Sequence, residues 1–147
     1  MKPRPVSNPP NPWASTEVEY LDEIPPSRLE VLEDHSREVL ARNNSPDVCF
    51  TWSINPYRGC MHACGYCYAR PTHAYLDLSP GLEFETKLFA KPDAAALLRT
   101  ELARPGYKCD PIALGSNTDP YQPIEREWRV TRSILEVLAA HEHPFSI

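Results

Sequence analysis

Three cysteines crowd into the stretch Gly59-Cys60-Met61-His62-Ala63-Cys64-Gly65-Tyr66-Cys67-Tyr68, at the spacing C-x3-C-x2-C. Thiols this close are bridged as a disulfide, gathered around a metal, or kept reduced side by side. The chain has five cysteines, an odd count, and Cys49 and Cys109 are isolated, so a disulfide framework fits poorly and a metal site fits well. Three thiolates on one tight loop can each take a different iron of a cubane, and such clusters are usually held by four cysteines. With only three, one iron keeps coordination positions open for a small molecule, as catalytic metal sites do. Structural zinc is the main alternative, with His62, Cys49 or Cys109 as a fourth ligand. Zinc motifs, however, usually pair two such cysteine spacings, and no second pair exists here. A ferredoxin needs a fourth cysteine at different spacing. A reduced cluster of thiols without metal is the remaining reading.

The surrounding pattern places this loop. Phe50-Thr51-Trp52-Ser53-Ile54-Asn55 alternates large apolar with small polar residues, the period of a strand. Asn55-Pro56-Tyr57-Arg58-Gly59 ends it, so the cysteines follow a strand's carboxyl end. Downstream, Phe84 to Phe89 reads as a short strand, and Asp93 as the cap of a helix running to about Ala103, stopped by Pro105-Gly106. Pro111 to Gly115 reads as a buried strand and Ser116-Asn117-Thr118-Asp119-Pro120 as its exit turn. Pro123 starts a second helix with Glu125 and Glu127 near its positive end. Trp128, Thr131, Leu135, Leu138 and Ala139 form its expected apolar face. Phe145 to Ile147 is extended again. Between Ser27 and Arg42 helical and strand patterns compete, with extended structure preferred.

Strands alternating with helices predict parallel pairing and an α/β layer. A full eight-stranded barrel needs about 250 residues and the smallest about 200, so 147 residues with three core strands predict a fragment of a larger domain. Residues 1 to about 26 hold Pro3, Pro5, Pro9, Pro10 and Pro12 and read as an irregular arm, with Trp13 and Tyr20 as anchors. The expected division is 1–44 for this proline-rich arm and extension, and 45–147 for the core. Fifteen basic against twenty acidic residues, a net charge of −5, supply no general attraction to nucleic acid or anionic membrane. No run approaches the roughly 18 apolar residues of a membrane helix, and Met1-Lys2-Pro3-Arg4-Pro5 lacks a signal peptide's apolar stretch. A cytoplasmic protein with reduced thiols is expected.

C-x3-C-x-aromatic-C resembles the signature of the radical S-adenosylmethionine (SAM) superfamily. Cys60, Cys64 and Cys67 match its cluster ligands and Tyr66 its aromatic position. The longer run Asn55-Pro56-Tyr57-Arg58-Gly59-Cys60, then Tyr66-Cys67-Tyr68-Ala69-Arg70, is similar to the branch related to spore photoproduct lyase, often labelled DNA repair photolyase-like. Gly115 to Glu125 resembles that branch too, and the likeness covers about Ser45 to Ile147. The resemblance implies the N-terminal portion of a partial (β/α)6 barrel and a [4Fe–4S] cluster whose open iron binds SAM. It further implies reductive cleavage of SAM to a 5′-deoxyadenosyl radical, a flavodoxin- or ferredoxin-type reductant, and a substrate that includes nucleic-acid lesions among its candidates. Tyr66 would lie near the SAM adenine. Ser116, Asn117, Thr118 and Asp119 would lie where the superfamily contacts the SAM amino group. The usual Gly-Gly-Glu-Pro-like pattern is absent there, and turn formation explains the same residues. Gly59 and Gly65 would let backbone N–H groups approach the cluster. Tyr68 reads as packing, Cys49 and Cys109 as inert buried thiols, His62 as a loop residue and Glu125 as a helix-start residue. Arg58 and Arg70 flank the loop as partners for an anion or as solvated side chains. The alternative from another class is a non-catalytic, zinc- or iron–sulfur-stabilised binding module.

Overall fold

The computed structural model describes residues 28–147; the proline-rich arm falls outside them. Among the described residues seven short strands form two sheets. One has the order β1 (Glu30–Glu33), β5 (Lys87–Ala90), β4 (Tyr57–Arg58). The other has the order β2 (Ala41–Arg42), β3 (Trp52–Ile54), β6 (Ile112–Leu114), β7 (Phe145–Ser146). The parallel pairing expected from alternation is present: β3 pairs with β6 and β6 with β7, all parallel, and β1 runs parallel to β5. β2 and β4 are the antiparallel members. No barrel closes among the described residues. The extended reading of the Ser27–Arg42 stretch matches β1 and β2, which supply strands to both sheets.

The larger of two buried apolar clusters among the described residues joins the sheets. Ile54, Ile112 and Leu114 from one meet Tyr57, Leu88 and Ala90 from the other, together with Leu98, Ile134, Val137 and Leu138 from the helices. Each fully buried Leu, Ile or Val among these contributes roughly 1.5–3 kcal/mol. Helix α2 (Ala94–Leu102) turns Ala94, Leu98 and Glu101 inward, a spacing of four and three that puts them on one face. Glu101 is buried because both its oxygens are used. Oε1 accepts the Val39 N–H at 2.7 Å and Oε2 the Leu40 N–H at 3.1 Å, fastening the β1–β2 connection to the helix. The expected Asp93 cap is not made by its side chain, which bonds His35 Nδ1 at 2.8 Å instead.

Two further elements differ from expectation. The stretch expected to be one strand from Phe84 is split, with Glu83–Thr86 a helical turn (α1) and only Lys87–Ala90 extended. The second helix is broken into α3 (Glu125–Trp128) and α4 (Val130–Ala140), with Arg129 between them at φ 49°. The break rotates the inward face to Val130, Thr131, Ile134, Val137 and Leu138. Leu135 is only partly buried and Ala139 is exposed. Glu125 repairs the break, as its carboxylate accepts the Thr131 and Arg132 N–H groups at 3.0 and 2.9 Å and also the Tyr57 hydroxyl. No helix among the described residues is long and apolar enough to cross a membrane.

His73, in the 3-10 helix Arg70–Leu76, is fully buried. Its Nε2–H donates to the Lys87 carbonyl at 2.9 Å and Nδ1 has no hydrogen-bond partner. Burial pushes its pKa below the ordinary 6.5. A depressed histidine contributes stability that is complete above 6.5 and is lost as pH falls through the folded value, because the unfolded chain takes up the proton first. Urea melts at about pH 7.5 and about pH 5 are expected to show the wild type losing more stability on acidification than His73→Gln. Equal losses would remove this account.

Candidate cluster-binding site

β3 and β6 lie side by side and parallel, so their carboxyl ends open onto one edge of the sheet. The cysteine loop follows the first and the Gly115–Gln122 loop the second. The cysteine loop is not a loose excursion. After Pro56 the chain pairs Tyr57–Arg58 with Phe89–Ala90 of β5, crossing to the other sheet before it reaches Gly59. Cys60 therefore stands at the seam between the sheets.

Gly59 makes the crossing possible. Its φ is +76°, and a Cβ there would come within 2.7 Å of the Phe84 carbonyl oxygen, 2.7 Å of Leu88 Cδ2 and 2.9 Å of His73 Cε1. Gly59→Ala combines a left-handed backbone with a collision against main chain. It is expected to lower stability by about 3 kcal/mol, read as a shift in the urea midpoint. A loss below about 1 kcal/mol would show that the loop relaxes freely. Gly65 has neither constraint: open space surrounds its Cβ position. Gly115, at φ +83°, turns the second loop back so tightly that a Cβ would meet the Pro120 ring at 2.5 Å.

The three thiols are in no disulfide; Cys60 is buried and Cys64 and Cys67 are partly buried. Cys67 packs against the small cluster of Cys60, Ala69 and Phe84. The Cys60 N–H donates to the Phe84 carbonyl at 3.0 Å and the Cys67 N–H to the Cys64 carbonyl at 3.3 Å. Burial raises the Cys60 pKa, while backbone N–H groups of His62 and Asp119 facing its sulfur oppose that rise. Among the described residues no three His, Cys, Asp or Glu side chains stand close enough together to hold a metal ion. The donor chemistry nevertheless suits a thiophilic group: three free thiols share one loop, and Cys67 packs against the buried cluster that contains Cys60.

Arg70 braces the far side of the loop. Its guanidinium bonds the buried Glu85 carboxylate, the Gly81 carbonyl at 3.1 Å and the Cys64 carbonyl at 3.4 Å, and lies 5.4 Å from the Phe84 ring centroid. Of the two readings open for this residue, the carboxylate partner is the one realised. Arg58 bonds Asp34 at 2.7 Å.

The Ser116–Asp119 side chains mostly face protein. Ser116 Oγ is bonded to Asn55 at 3.2 Å, and the Asn117 N–H donates to Asn55 Oδ1 at 2.8 Å. Thr118 Oγ1 donates to the Gly59 carbonyl at 2.7 Å. Asp119 Oδ1 accepts the Tyr121 N–H at 2.7 Å, and Oδ2 is 3.1 Å from His62 Nε2. Asn117 is the exposed member. Tyr66 is 91% exposed and thus free to meet a ligand. Tyr68 corrects the packing expectation, since its ring is exposed and its hydroxyl donates to the Ser116 carbonyl. Cys49 and Cys109 are also exposed rather than buried. They precede β3 and β6, at the end of the strands opposite the cysteine loop. Sequence reasoning passed over Asn55 and Gln122, whose roles depend on partners about sixty residues away in the chain.

No family model matches the chain. Over 104 residues it is 48% identical to uncharacterized proteins of Mycobacterium tuberculosis and Mycobacterium bovis, covering 71% of this chain and 31% of each relative. An uncharacterized protein of Methanocaldococcus jannaschii is 26% identical over 110 residues, 75% of this chain and 39% of that one. The chain thus spans about a third of the length of the first of these curated relatives. No solved structure matches.

Proposed function

We propose that this chain is the cluster- and SAM-binding portion of a radical SAM enzyme, with Cys60, Cys64 and Cys67 as ligands of a [4Fe–4S] cluster. One observation carries the reading: three undisulfided thiols on one braced loop, at the carboxyl edge shared by two parallel strands. Parallel α/β proteins gather their chemistry at that edge. When bound, such a cluster supplies the electron that splits a carbon–sulfur bond of SAM. The chain's own part is placement. Cys60 would be the buried donor and the partly buried Cys64 and Cys67 the other two, each giving up its proton on ligation, since thiolate ligation and proton release are coupled. Tyr66, exposed on the loop, and Asn117, exposed after β6, would take the aromatic and polar contacts of SAM. Ser116, Thr118 and Asp119, already hydrogen-bonded to neighbouring segments, shape the edge on which it lies.

Of the candidate fourth ligands for zinc, Cys49 and Cys109 lie at the strand ends opposite the cysteine loop, whereas His62 lies within that loop with Asp119 at 3.1 Å from its Nε2. A flavodoxin- or ferredoxin-type reductant follows from the same reading, and a nucleic-acid lesion is one candidate substrate, suggested by the likeness to the spore photoproduct lyase branch. Anaerobic reconstitution tests it. The expected product is a brown, oxygen-sensitive protein with a full cubane complement of iron and sulfide, perturbed spectroscopically by SAM. A colourless protein holding one zinc and ignoring SAM overturns it.

A further inference from the structure

Gln122 is fully buried, and its amide is spent on the two peptide units that flank Cys60. Nε2 donates to the Gly59 carbonyl at 3.3 Å, and Oε1 accepts the Met61 N–H at 3.2 Å. Nε2 also donates to Thr118 Oγ1 at 3.2 Å, and that hydroxyl donates to the same Gly59 carbonyl at 2.7 Å. From the other side, the Cys60 N–H is taken by Phe84 and Gly59 is wedged against Phe84, Leu88 and His73. The main chain on both sides of Cys60 is thus held from two directions, by elements of both sheets. The rest of the loop has weaker ties. Cys64 and Cys67 are joined mainly to each other and to Arg70.

A buried primary amide is costly unless its donors and acceptor are matched, and an apolar side chain of similar size would fill the same space without that demand. The function of this amide is therefore found in what it holds. We propose that Gln122 is a positioning residue: its side-chain amide fixes Cys60 as the preset first donor, around which Cys64 and Cys67 close. This rests on the reading of the three cysteines as cluster ligands. Holding one donor rigid limits the ordering that loading must accomplish to the remaining two.

The test compares the full chain with Gln122→Met, which keeps the volume and loses all three side-chain hydrogen bonds, and Gln122→Glu, which when ionised keeps an acceptor for Met61 but no donor for Gly59. In the metal-free protein, hydrogen exchange at the Met61 amide and alkylation of Cys60, each followed by mass spectrometry, are read against α4 amides and Cys109 as internal references. Gln122→Met is expected to speed both by about tenfold, the scale of losing one intramolecular hydrogen bond. Gln122→Glu is expected to leave Met61 protected while Cys60 alkylation quickens, a split that general destabilisation does not produce. After anaerobic reconstitution, Gln122→Met should retain less than half the wild-type iron. Should Gln122→Met fail to fold, the Glu variant and Thr118→Val, which removes the other donor to Gly59, carry the comparison. Unchanged Met61 and Cys60 rates in a folded Gln122→Met overturn the proposal, as do altered rates with unchanged iron content. If the wild type takes up no iron while both rates respond, the clamp stands and the cluster reading falls.

Discussion

Arg70→Ala is expected to lower the stability of the fold by about 3–5 kcal/mol, the range for removing one partner of a buried ion pair. Glu85 explains the size. Its side chain is 2% exposed, Arg70 satisfies its Oε1, and its buried Oε2 has no hydrogen-bond partner. Without the guanidinium a carboxylate would be left bare in the interior, and the Gly81 and Cys64 carbonyls would lose a donor. Against a typical domain stability of about 5–15 kcal/mol this is a large fraction. Urea denaturation followed by circular dichroism provides the measurement. The double variant Arg70→Met, Glu85→Met should recover most of the loss, because it removes both charges and keeps the volume. If the single variant lost under 1 kcal/mol, the pair would be behaving as a surface bridge. The double variant also separates stability from loop placement: it restores the interior but leaves the Cys64 carbonyl without its brace.

The second large effect concerns the thiols. On the proposed function, Cys60→Ser is expected to abolish cluster assembly, with iron and sulfide after anaerobic reconstitution falling to background. Cys49→Ser and Cys109→Ser are expected to match the wild type, because both residues are exposed at the far ends of β3 and β6. A serine in place of Cys60 keeps the buried backbone and its Phe84 hydrogen bond, so the folded variant tests ligation rather than folding. Cys64→Ser and Cys67→Ser should show the same loss from the more exposed half of the loop. Full iron content in Cys60→Ser would mean that the ligands lie elsewhere.

Several features of this protein were visible in its residues. The period-two run ending at Asn55 placed a strand before the cysteines, and β3 is there. The apolar run after Pro111 announced β6. Alternating elements implied parallel neighbours, which β3, β6 and β7 are. The misreadings share a cause. The residue spacing predicts one helical stripe from Trp128 to Ala139, but Arg129 adopts a left-handed conformation and resets the phase. Nothing local marks that break, since it is held by Tyr57 and the first turn of α4 converging on Glu125. Asp93 looked like a cap, yet His35, brought close by the pairing of β1 with β5, takes its carboxylate.

Chain-local properties, namely side-chain period and the spacing of three thiols, determined where the strands and the sulfur-bearing loop would be. What surrounds that loop was decided only by folding. The parallel register of Trp52 with Ile112 brings two strand ends together and carries Gln122 to a peptide 63 positions earlier in the chain. Hydrogen bonds over such separations depend on sheet pairing and shared burial, so glutamine, threonine and asparagine give no sign of their partners until the sheet has formed.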